Sequence, residues 1–448
     1  MDCEHIIEEK LSWVCSIINS RLSVDIRYTI HDGFYDLHLS NFKVRFVLNS
    51  RFWLGEIVSN FTNSSVPHWL GEQLTNIICL GKPNLDTDIL SRVDSNNLEF
   101  HIDLCGQIYW VLARVEEQNS DQSQLDDLGR FISTSSSFED KSIYDRPVVD
   151  EWIELLRASL KHLGIVRQIS DYKIEITHDL DRLSRYKYCS YFKLTTRVAR
   201  DWFKVPTKAI FNALVNRMFS FKYVSKFDPY NTIEDLLLLP NLGKKITQRF
   251  YLIVGKSGHF TDVDYEVHDP GVSSLTKRIK SKSSIGLHNS FHGINNHEIL
   301  KKELDAYKDF FGEYPSYCRA HYLSFSFQKM LENVYNLGIK LEDHSMCFAD
   351  RYGFRCGTSI AYEAFDHANN RRVSNLIIQP LIAMQWSAVS KNYMNVSLEN
   401  SFIELQTYCN RVKLHGGVFT YLIHNDEYYE MGKSYRELLK NFLIENGK

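Results

Sequence analysis

The stretch that decides the fold runs from Lys173 to Asp181 and reads KIEITHDLD. Its first five residues alternate polar and apolar side chains and include β-branched residues, which predicts a strand. This strand would deliver two carboxylates, Asp179 and Asp181, into the loop that follows. One of them could bind a metal while the other moves a proton, although Asp-x-Asp after a strand is also typical of a turn or a helix cap.

Beyond residue 230 the chain alternates strand-like and helix-like segments, which predicts a parallel sheet or barrel. The strand-like segments are Gln248–Val254, Ile285–His288, Tyr317–Arg319, Ile339–Leu341, Leu376–Ile378 and Val418–His424, and the helix-like segments are Thr232–Leu239, His297–Phe311 and Ser326–Leu337. In such folds, ligands bind at the carboxyl ends of the strands. The candidate chemical residues fall at those ends: Asp179, Asp181, His288, His292, Arg319 and His424.

Two domains are predicted from the length of 448 residues and from the pattern. Residues 1–145 are predicted to form a smaller α+β domain, and residues 146–448 a larger α/β domain with the chemistry. The elements predicted near the first domain are a helix over residues 5–19, strands at Tyr35–Leu39 and Val44–Leu48, and helices at Gln107–Glu117 and Val148–Leu163. A polar stretch rich in Ser and Asp, Glu117–Asp140, is predicted to be a linker.

The composition argues against several classes of protein. A net charge of -3 argues against a general nucleic-acid binder. The nine cysteines are scattered and contain no Cys-x-x-Cys pair, which favours reduced thiols over a disulfide framework or a zinc ribbon. We see no secretory signal and no run of apolar residues long enough to span a membrane. The predicted location is therefore the cytoplasm.

An insertion at about 182–228 is strongly basic. Between Arg182 and Lys226 there are eleven Lys and Arg residues against one acidic residue, Asp201, and aromatic residues are interleaved with them. Such a segment can lie on the anionic inner face of a membrane or hold a phosphorylated substrate. A solvated helical hairpin on an aromatic core is the other interpretation.

His288 and His292 are four residues apart, so on a helical turn their imidazoles would face the same way and could bind one cation. The same spacing also arises by coincidence in cores and on surfaces. With Asp181 the set becomes one carboxylate and two imidazoles, which leaves an open position for water, as in catalytic sites. One divalent ion is predicted, with zinc as the simplest choice and Fe, Co, Mn or Ni as alternatives.

Four ordered segments resemble the motifs of the polysaccharide deacetylases, the NodB-type carbohydrate esterases. They are Thr177-His178-Asp179-Leu180-Asp181, Gly286-Leu287-His288-Asn289-Ser290-Phe291-His292, Arg319-Ala320-His321-Tyr322-Leu323 and Leu422-Ile423-His424-Asn425. Two further segments resemble a bacterial subgroup of surface-polysaccharide biosynthesis: Asp145-Arg146-Pro147-Val148-Val149 and Ala349-Asp350-Arg351-Tyr352-Gly353-Phe354-Arg355-Cys356-Gly357-Thr358. The resemblance to the catalytic family covers about residues 168–430.

This resemblance implies a distorted (β/α) barrel with fewer than eight repeats. It implies that Asp179 is the general base, that Arg319 orients and tunes Asp179, and that His424 protonates the leaving amine. It also implies a metal site, whose ligands would be Asp181, His288 and His292. The commoner family motif has adjacent aspartates, so the spacer Leu180 leaves open which carboxylate binds the metal, although the subgroup pattern favours Asp181.

Several residues near these motifs are candidates for substrate contact: His321, Tyr322, Asp350, Arg351 and Arg355. For the last three, an internal salt-bridge cluster that pins the loop is an equal alternative. Asp343 is a candidate for orienting His424.

The predicted function is removal of an N-acyl (acetyl) group from an amino sugar, nucleotide- or lipid-linked, in the biosynthesis of a bacterial surface polysaccharide such as O-antigen or capsule. The alternatives are an N-deformylase or O-deacetylase that uses the same site, and a catalytically silent glycan-binding or scaffold protein. The pattern makes no prediction of the oligomeric state.

Overall fold

The computed structural model describes residues 3–70, 76–81, 88–162, 171–203, 205–219 and 223–448 of the chain. Leu163, at the end of a predicted helix, lies outside the described residues, as do Lys204, Phe221 and Lys222 of the basic insertion. None of the described helices has both the length and the apolar composition that crossing a bilayer requires.

The first part of the chain is a mixture of helices and short strands. Its helices are α1 Cys3–Leu22, α2 Ser50–Leu54, α3 Leu104–Leu112, α4 Val115–Gln118 and α5 Val148–His162. Its strands are β1 Arg27–His31, β2 Phe34–Leu39, β3 Phe42–Val47, β4 Phe61–Ser65, β5 Asn76–Leu80, β6 Leu90–Arg92 and β7 Asn97–Phe100. Within the described residues these strands form one sheet in the order β1-β2-β3-β7-β6 and one pair, β4-β5.

The rest of the chain is built on one large sheet. Its strands are β8 Tyr172–Asp179, β9 Ile246–Ile253, β10 Ser284–Asn289, β11 Tyr317–Ala320, β12 Leu341–Asp343, β13 Tyr362–Asp366, β14 Arg371–Ile378, β15 Ala383–Met384 and β16 Gly417–His424. The order is β13-β14-β12-β11-β10-β9-β8-β16-β15, and among the described strand pairs of this sheet only β13 and β14 are antiparallel. The predicted mixed α/β architecture with a mainly parallel sheet is confirmed.

Helices connect or follow these strands. They are α6 Tyr191–Asp201, α7 Thr207–Phe219, α8 Ile233–Leu236, α9 Pro270–Lys280, α10 His297–Phe311, α11 Phe327–Leu337, α12 Gln385–Val389, α13 Leu398–His415, α14 Asn425–Glu430 and α15 Gly432–Asn446. The predicted helix His297–Phe311 is confirmed at both ends. Asn296 caps its first turn by accepting hydrogen bonds from two backbone amides, and Gly312 ends it in the left-handed conformation.

β8 lies between β9 and β16, third from one edge of the sheet, and seven of its eight residues are buried. Apart from the exposed Lys173, the polar residues of its alternating pattern therefore do not face water. Glu175 instead forms an ion pair with Arg249 of β9 inside the protein, and Thr177 accepts a hydrogen bond from Arg319. Because a buried charge is costly without a partner, the alternation of β8 marks a buried polar layer rather than an exposed face.

The predicted helix Gln107–Glu117 is interrupted. Arg114 has a left-handed backbone, with φ of 51°, and it separates α3 from α4. Its guanidinium pairs with the buried carboxylate of Glu117, and this ion pair holds the chain in the unfavourable conformation.

The predicted linker after this break is irregular, but it is packed against the protein. Phe131 and Phe138 are buried, and Ser133 hydrogen-bonds with Asp350 of the larger region.

The hydrophobic core crosses the predicted domain boundary. One cluster of buried side chains includes residues of α1, α3 and α5 together with residues of β11, β13 and β14. Trp13 of α1 packs on Tyr362 and Phe365 of β13, with ring centroids 6.5 Å and 5.1 Å apart. The division at residue 145 stays a prediction, but its two sides share this core.

Candidate metal centre and active site

The candidate site lies at the carboxyl ends of adjacent strands of the large sheet. Asp179 ends β8 and is in register with His424, the last residue of β16. His288 of β10 is in register with Arg319 of β11. Asp181 follows β8 by two residues. The parallel pairing therefore brings together five of the residues that the sequence placed at strand ends.

His321 joins them from the turn that directly follows β11. The potential ligand atoms of Asp181, His288 and His321 all lie within 4.8 Å of one another. Nε2 of His288 is 3.2 Å from Oδ1 of Asp181, and Nε2 of His321 is 3.3 Å from Oδ2 of the same carboxylate. Both imidazoles are almost fully buried, so the three side chains form a compact, largely enclosed group.

The hydrogen bonds of His288 leave one ring nitrogen available for a ligand. Its Nδ1 lies 3.0 Å from the carbonyl oxygen of Arg319, so Nδ1 carries the proton and donates to that oxygen. In the neutral ring Nε2 then holds a lone pair. No hydrogen bond of good geometry reaches this buried atom or Oδ1 of Asp181, although the two atoms lie only 3.2 Å apart. Buried polar atoms without partners are rare in proteins. An imidazole fixed through Nδ1 with a free Nε2 beside a carboxylate fits a divalent cation.

Asp181 also gives the group the negative charge that suits a cation. Burial raises the pKa of Asp181, but the neighbouring imidazoles of His321 and His288 lower this pKa more, and the result is well below the ordinary value. Asp181 is therefore an anion at neutral pH. A site with one charged carboxylate and two imidazoles matches the ligands preferred by zinc and similar transition metals.

Asp179 is held by Arg319 at the edge of this group. Nη1 of Arg319 donates to Oδ1 of Asp179 at 2.9 Å and to the hydroxyl of Thr177 at 2.9 Å. Arg319 is itself fixed, because its Nε donates to the carbonyl oxygen of His344 and its guanidinium lies over the ring of Tyr251. The other oxygen of Asp179 is 3.4 Å from Nε2 of His288. One oxygen of Asp179 is thus tied to Arg319, and the other faces the centre.

His424 faces the same centre from β16. Its Nε2 is 4.0 Å from Oδ2 of Asp179 and 3.9 Å from Oδ2 of Asp181. On its other side, Nδ1 lies 3.2 Å from Oε2 of Glu427, which accepts a second hydrogen bond from Gln385 at 2.7 Å. Burial lowers the pKa of His424, whereas the charge of Glu427 and its hydrogen bond raise it, to about 10. His424 is therefore a proton donor at neutral pH.

A pocket of about 500 Å³ opens onto these residues. This volume lies in the range of small-molecule sites, roughly 300–1,000 Å³. Three aromatic side chains that line it are exposed, Phe260, Tyr322 and Trp386, and they offer flat apolar surfaces at its mouth. Tyr322 and the next residue, Leu323, both have positive φ angles, 60° and 54°. Such strained backbone is often found at functional sites.

The charged side chains of the pocket are mostly acidic. Seven carboxylates and four basic side chains line it. Each basic side chain lies near a carboxylate: Arg130 at 2.7 Å from Asp126, Arg182 at 3.5 Å from Asp426, and Lys193 and Arg197 at 3.1 Å and 3.7 Å from Asp264. Within the described residues, the pocket therefore has no cluster of unpaired Lys and Arg side chains that would bind a phosphate group.

One of the predicted metal ligands, His292, lies outside the group in the structure. His292 does not reach the group, and its exposed ring lies against His259 and Phe291, with centroid distances of 5.2 Å and 5.0 Å. The helical spacing argument was wrong here, because His288 is on a strand that ends at Asn289, and the chain then turns away. His321, predicted to contact substrate, occupies the third position beside Asp181 instead.

The three predicted substrate contacts in the loop at 349–358 are also corrected. Asp350 accepts hydrogen bonds from the backbone and hydroxyl of Ser133, and Arg351 pairs with Asp145. Arg355 is buried and pairs with Glu117 at 2.6 Å. None of the three lines the described pocket. These partners, Ser133, Asp145 and Glu117, belong to the first part of the chain, so the three side chains fasten the loop to that part, which was the alternative interpretation.

Asp343 does not orient His424. It is buried at the end of β12 and accepts hydrogen bonds from the backbone and hydroxyl of Ser345. Glu427 takes the orienting position, and sequence reasoning missed it together with Gln385. A signal was available for Glu427, because an acidic residue three positions after a strand-ending histidine faces it when a helix begins there. Gln385 comes from a separate strand end, and nothing in its spacing pointed to it.

Comparisons with known proteins give a limited picture. Residues 3–165 match the model of a family of unknown function, DUF7033, which covers less than half of the chain. No curated protein matches the chain significantly. A crystal structure from Mycobacterium smegmatis, of a protein provisionally named polysaccharide deacetylase, is similar over 62% of this chain and 86% of that chain. The identity is 14% and the TM-score is 0.38, a value too low to support an argument about this chain.

Proposed function

We propose that this protein is a metal-dependent hydrolase that removes an N-acyl group from an amino sugar. The observation that carries the proposal is the group of Asp181, His288 and His321, whose potential ligand atoms lie within 4.8 Å of one another. Two of these atoms, Oδ1 of Asp181 and Nε2 of His288, are buried without a hydrogen-bond partner. The motif resemblance to the polysaccharide deacetylases supports the same assignment, and we propose that the large sheet is the distorted barrel of that family.

Under this proposal Asp181 through a carboxylate oxygen, and His288 and His321 through Nε2, would hold one divalent cation. Such a cation polarises an acyl carbonyl and makes water a better nucleophile at neutral pH. Zinc suits this ligand set best, and iron, cobalt, manganese and nickel are alternatives.

Asp179, Arg319 and His424 have separate roles in the proposed reaction. Asp179 accepts a proton from the attacking water as the water oxygen bonds to the acyl carbon. Arg319 holds Asp179 in place, because it donates to one carboxylate oxygen and leaves the other free. When the carbon–nitrogen bond breaks, His424 gives its proton to the leaving nitrogen. The products are a carboxylic acid and an amine, which become a carboxylate and an ammonium when the acid gives its proton to the amine. The proton taken by Asp179 then passes through solvent to His424, which restores both side chains.

The side chains that line the pocket favour an uncharged sugar ring next to the reacting centre. Its basic side chains are already paired with carboxylates, and its mouth has exposed aromatic rings, which suit the apolar faces of sugars. A nucleotide or lipid carrier on the sugar would have to extend beyond these paired residues. The place of the reaction in bacterial surface-polysaccharide biosynthesis is proposed from the motif resemblance alone.

The activity test uses zinc-loaded protein with N-acetyl and N-formyl amino sugars, each free and as a nucleotide conjugate, and measures released acetate or formate. The matched variants are Asp179→Asn, which removes the base, and His292→Ala, which changes a histidine outside the group. We expect release by wild type and by His292→Ala, with a loss of at least ~100-fold in Asp179→Asn. Equal release by wild type and Asp179→Asn would contradict the mechanism.

The same assay separates the alternatives. Formate release without acetate release would identify a deformylase, and release of acetate from an O-acetylated sugar alone would identify an O-deacetylase. Binding of the sugars without any release, unchanged when the metal is removed, would favour a glycan-binding or scaffold protein.

A further inference from the structure

The basic insertion forms a helical hairpin, made by α6, α7 and the turn between them. A small core holds the two helices together, formed by Tyr186, Val205, Ile210 and Ala213 with Leu194 and Val198 packed against it. This core is separate from the larger clusters of the protein. The hairpin is thus a unit with an inner apolar face of its own.

The opposite face of α7 is also apolar, and it is exposed. Phe211, Val215, Met218 and Phe219 follow the spacing of a single helix face, and the exposed fractions of Phe211, Met218 and Phe219 are 65%, 66% and 76%. An amphipathic helix normally buries its apolar stripe, but α7 has one stripe inside the hairpin and a second facing outward. No described residue covers this outward stripe.

Further aromatic side chains of the hairpin are exposed outside α7. Phe192 at the start of α6 is 80% exposed, and Phe203 in the turn between the helices is 94% exposed. Single exposed apolar residues are common on protein surfaces, but a cluster of this kind marks an interaction site. We call the exposed residues Phe192, Phe203, Phe211, Val215, Met218 and Phe219 the outer apolar face.

The charge around the outer apolar face has one sign. Arg200, Lys208 and Lys226 are exposed, as is Lys193, which pairs with Asp264 of another segment. The acidic residue among the described residues of the hairpin, Asp201, is buried and paired with Arg185. The exposed charges on the described part of the hairpin are therefore all basic, although the chain as a whole is slightly acidic.

We infer that the outer apolar face docks on the surface of an anionic phospholipid bilayer. Exposed aromatic side chains flanked by Lys and Arg suit the boundary between acyl chains and anionic headgroups. A second copy of this chain is a poorer occupant, because a two-fold interface would place the same basic residues against each other. Lys193 and Arg197 of α6 also line the pocket, so docking brings the headgroups near the candidate active site. The inference does not depend on the proposed activity.

The test is co-sedimentation of the full-length protein with vesicles of phosphatidylcholine alone and of phosphatidylcholine mixed with phosphatidylglycerol. The first variant replaces three apolar residues, Phe211→Ser, Met218→Ser and Phe219→Ser. A second variant reverses two charges, Arg200→Glu and Lys208→Glu. The matched control is Ile403→Ser with Leu414→Ser, which removes two exposed apolar side chains from α13. Circular dichroism checks that each variant is folded.

We expect wild type and the α13 control to bind the vesicles that contain phosphatidylglycerol, and high salt to weaken this binding. Each hairpin variant should bind at least ~10-fold more weakly. The first loses three apolar side chains that would enter the boundary of the acyl chains, and the second reverses two charges that would contact anionic headgroups. Failure of wild type to bind these vesicles, or equal binding by folded hairpin variants, would overturn the inference. It would also be overturned if the first variant instead dissociated a dimer or a protein complex.

Discussion

At the residue scale, the candidate site consists of side chains at the ends of neighbouring strands, with His321 added by the turn after β11. Asp179, Asp181, His288, Arg319 and His424 were predictable because strand ends of a parallel sheet meet at one edge. The error over His292 came from applying helical spacing to a histidine on a strand. His321 lies beside Asp181 instead, because the turn after β11 brings it there. The spacing of residues along the chain does not reveal how this turn is oriented.

The interaction of Glu427 with His424 gives a prediction at this scale. Glu427→Gln removes the charge that raises the pKa of His424, so this pKa should fall from about 10 by at least about one pH unit. NMR titration of the His424 ring measures it in the metal-free protein. In activity assays, the loss of rate at high pH should begin at a lower pH, because His424 must be protonated to donate.

Glu430→Gln is the control for this prediction. Glu430 lies on the same helix and lines the same pocket, but its carboxylate is 3.1 Å from Arg185. Its replacement should leave the titration of His424 unchanged. If Glu427→Gln has no more effect than Glu430→Gln, then Glu427 does not set the protonation of His424.

At the scale of elements, strands and helices with a strong pattern were predicted well, and those shaped by distant contacts were not. The helix α10 has a capping Asn296, a regular apolar stripe and a terminal Gly312, so local residues determine its ends. The break between α3 and α4 depends on the ion pair of Arg114 and Glu117. Glu117 also pairs with Arg355, which lies more than two hundred residues later in the chain. No local pattern could reveal that contact.

The buried pair of Arg355 and Glu117 should be important for stability. Burial raises the pKa of Glu117, but Arg114 and Arg355 lower it more, so the carboxylate is charged and needs both partners. Arg355→Ala should therefore lower the free energy of unfolding by about 3 kcal/mol, as expected when a buried ion pair loses one member. Urea denaturation, followed by circular dichroism, measures this change.

Arg351→Ala is the matched control from the same loop. The side chain of Arg351 is 20% exposed and pairs with Asp145 nearer the surface. Its loss should cost about 1 kcal/mol or less. If Arg355→Ala is as stable as wild type, this arginine does not fasten the loop.

At the scale of the whole molecule, the candidate site depends on parts of the chain that are far apart in sequence. The loop that contains Asp350, Arg351 and Arg355 is fastened to the first part of the chain, and the core of α1, α3 and α5 continues under β11, β13 and β14. Leu128 and Arg130, from the predicted linker, line the pocket itself. The sequence indicated two domains because its patterns change near residue 145, but composition does not reveal a shared core.

The proposed hydrolase requires that Asp181, His288 and His321 bind a divalent cation. The most direct measurement is zinc content after reconstitution and dialysis, by elemental analysis of wild type, His288→Ala, His321→Ala and His292→Ala, with circular dichroism to confirm folding. We predict about one zinc per chain in wild type and in His292→Ala, and loss of the ion in the other two variants. Zinc retained in His321→Ala but lost in His292→Ala would contradict the account, as would folded wild-type protein that binds no zinc, iron, cobalt, manganese or nickel.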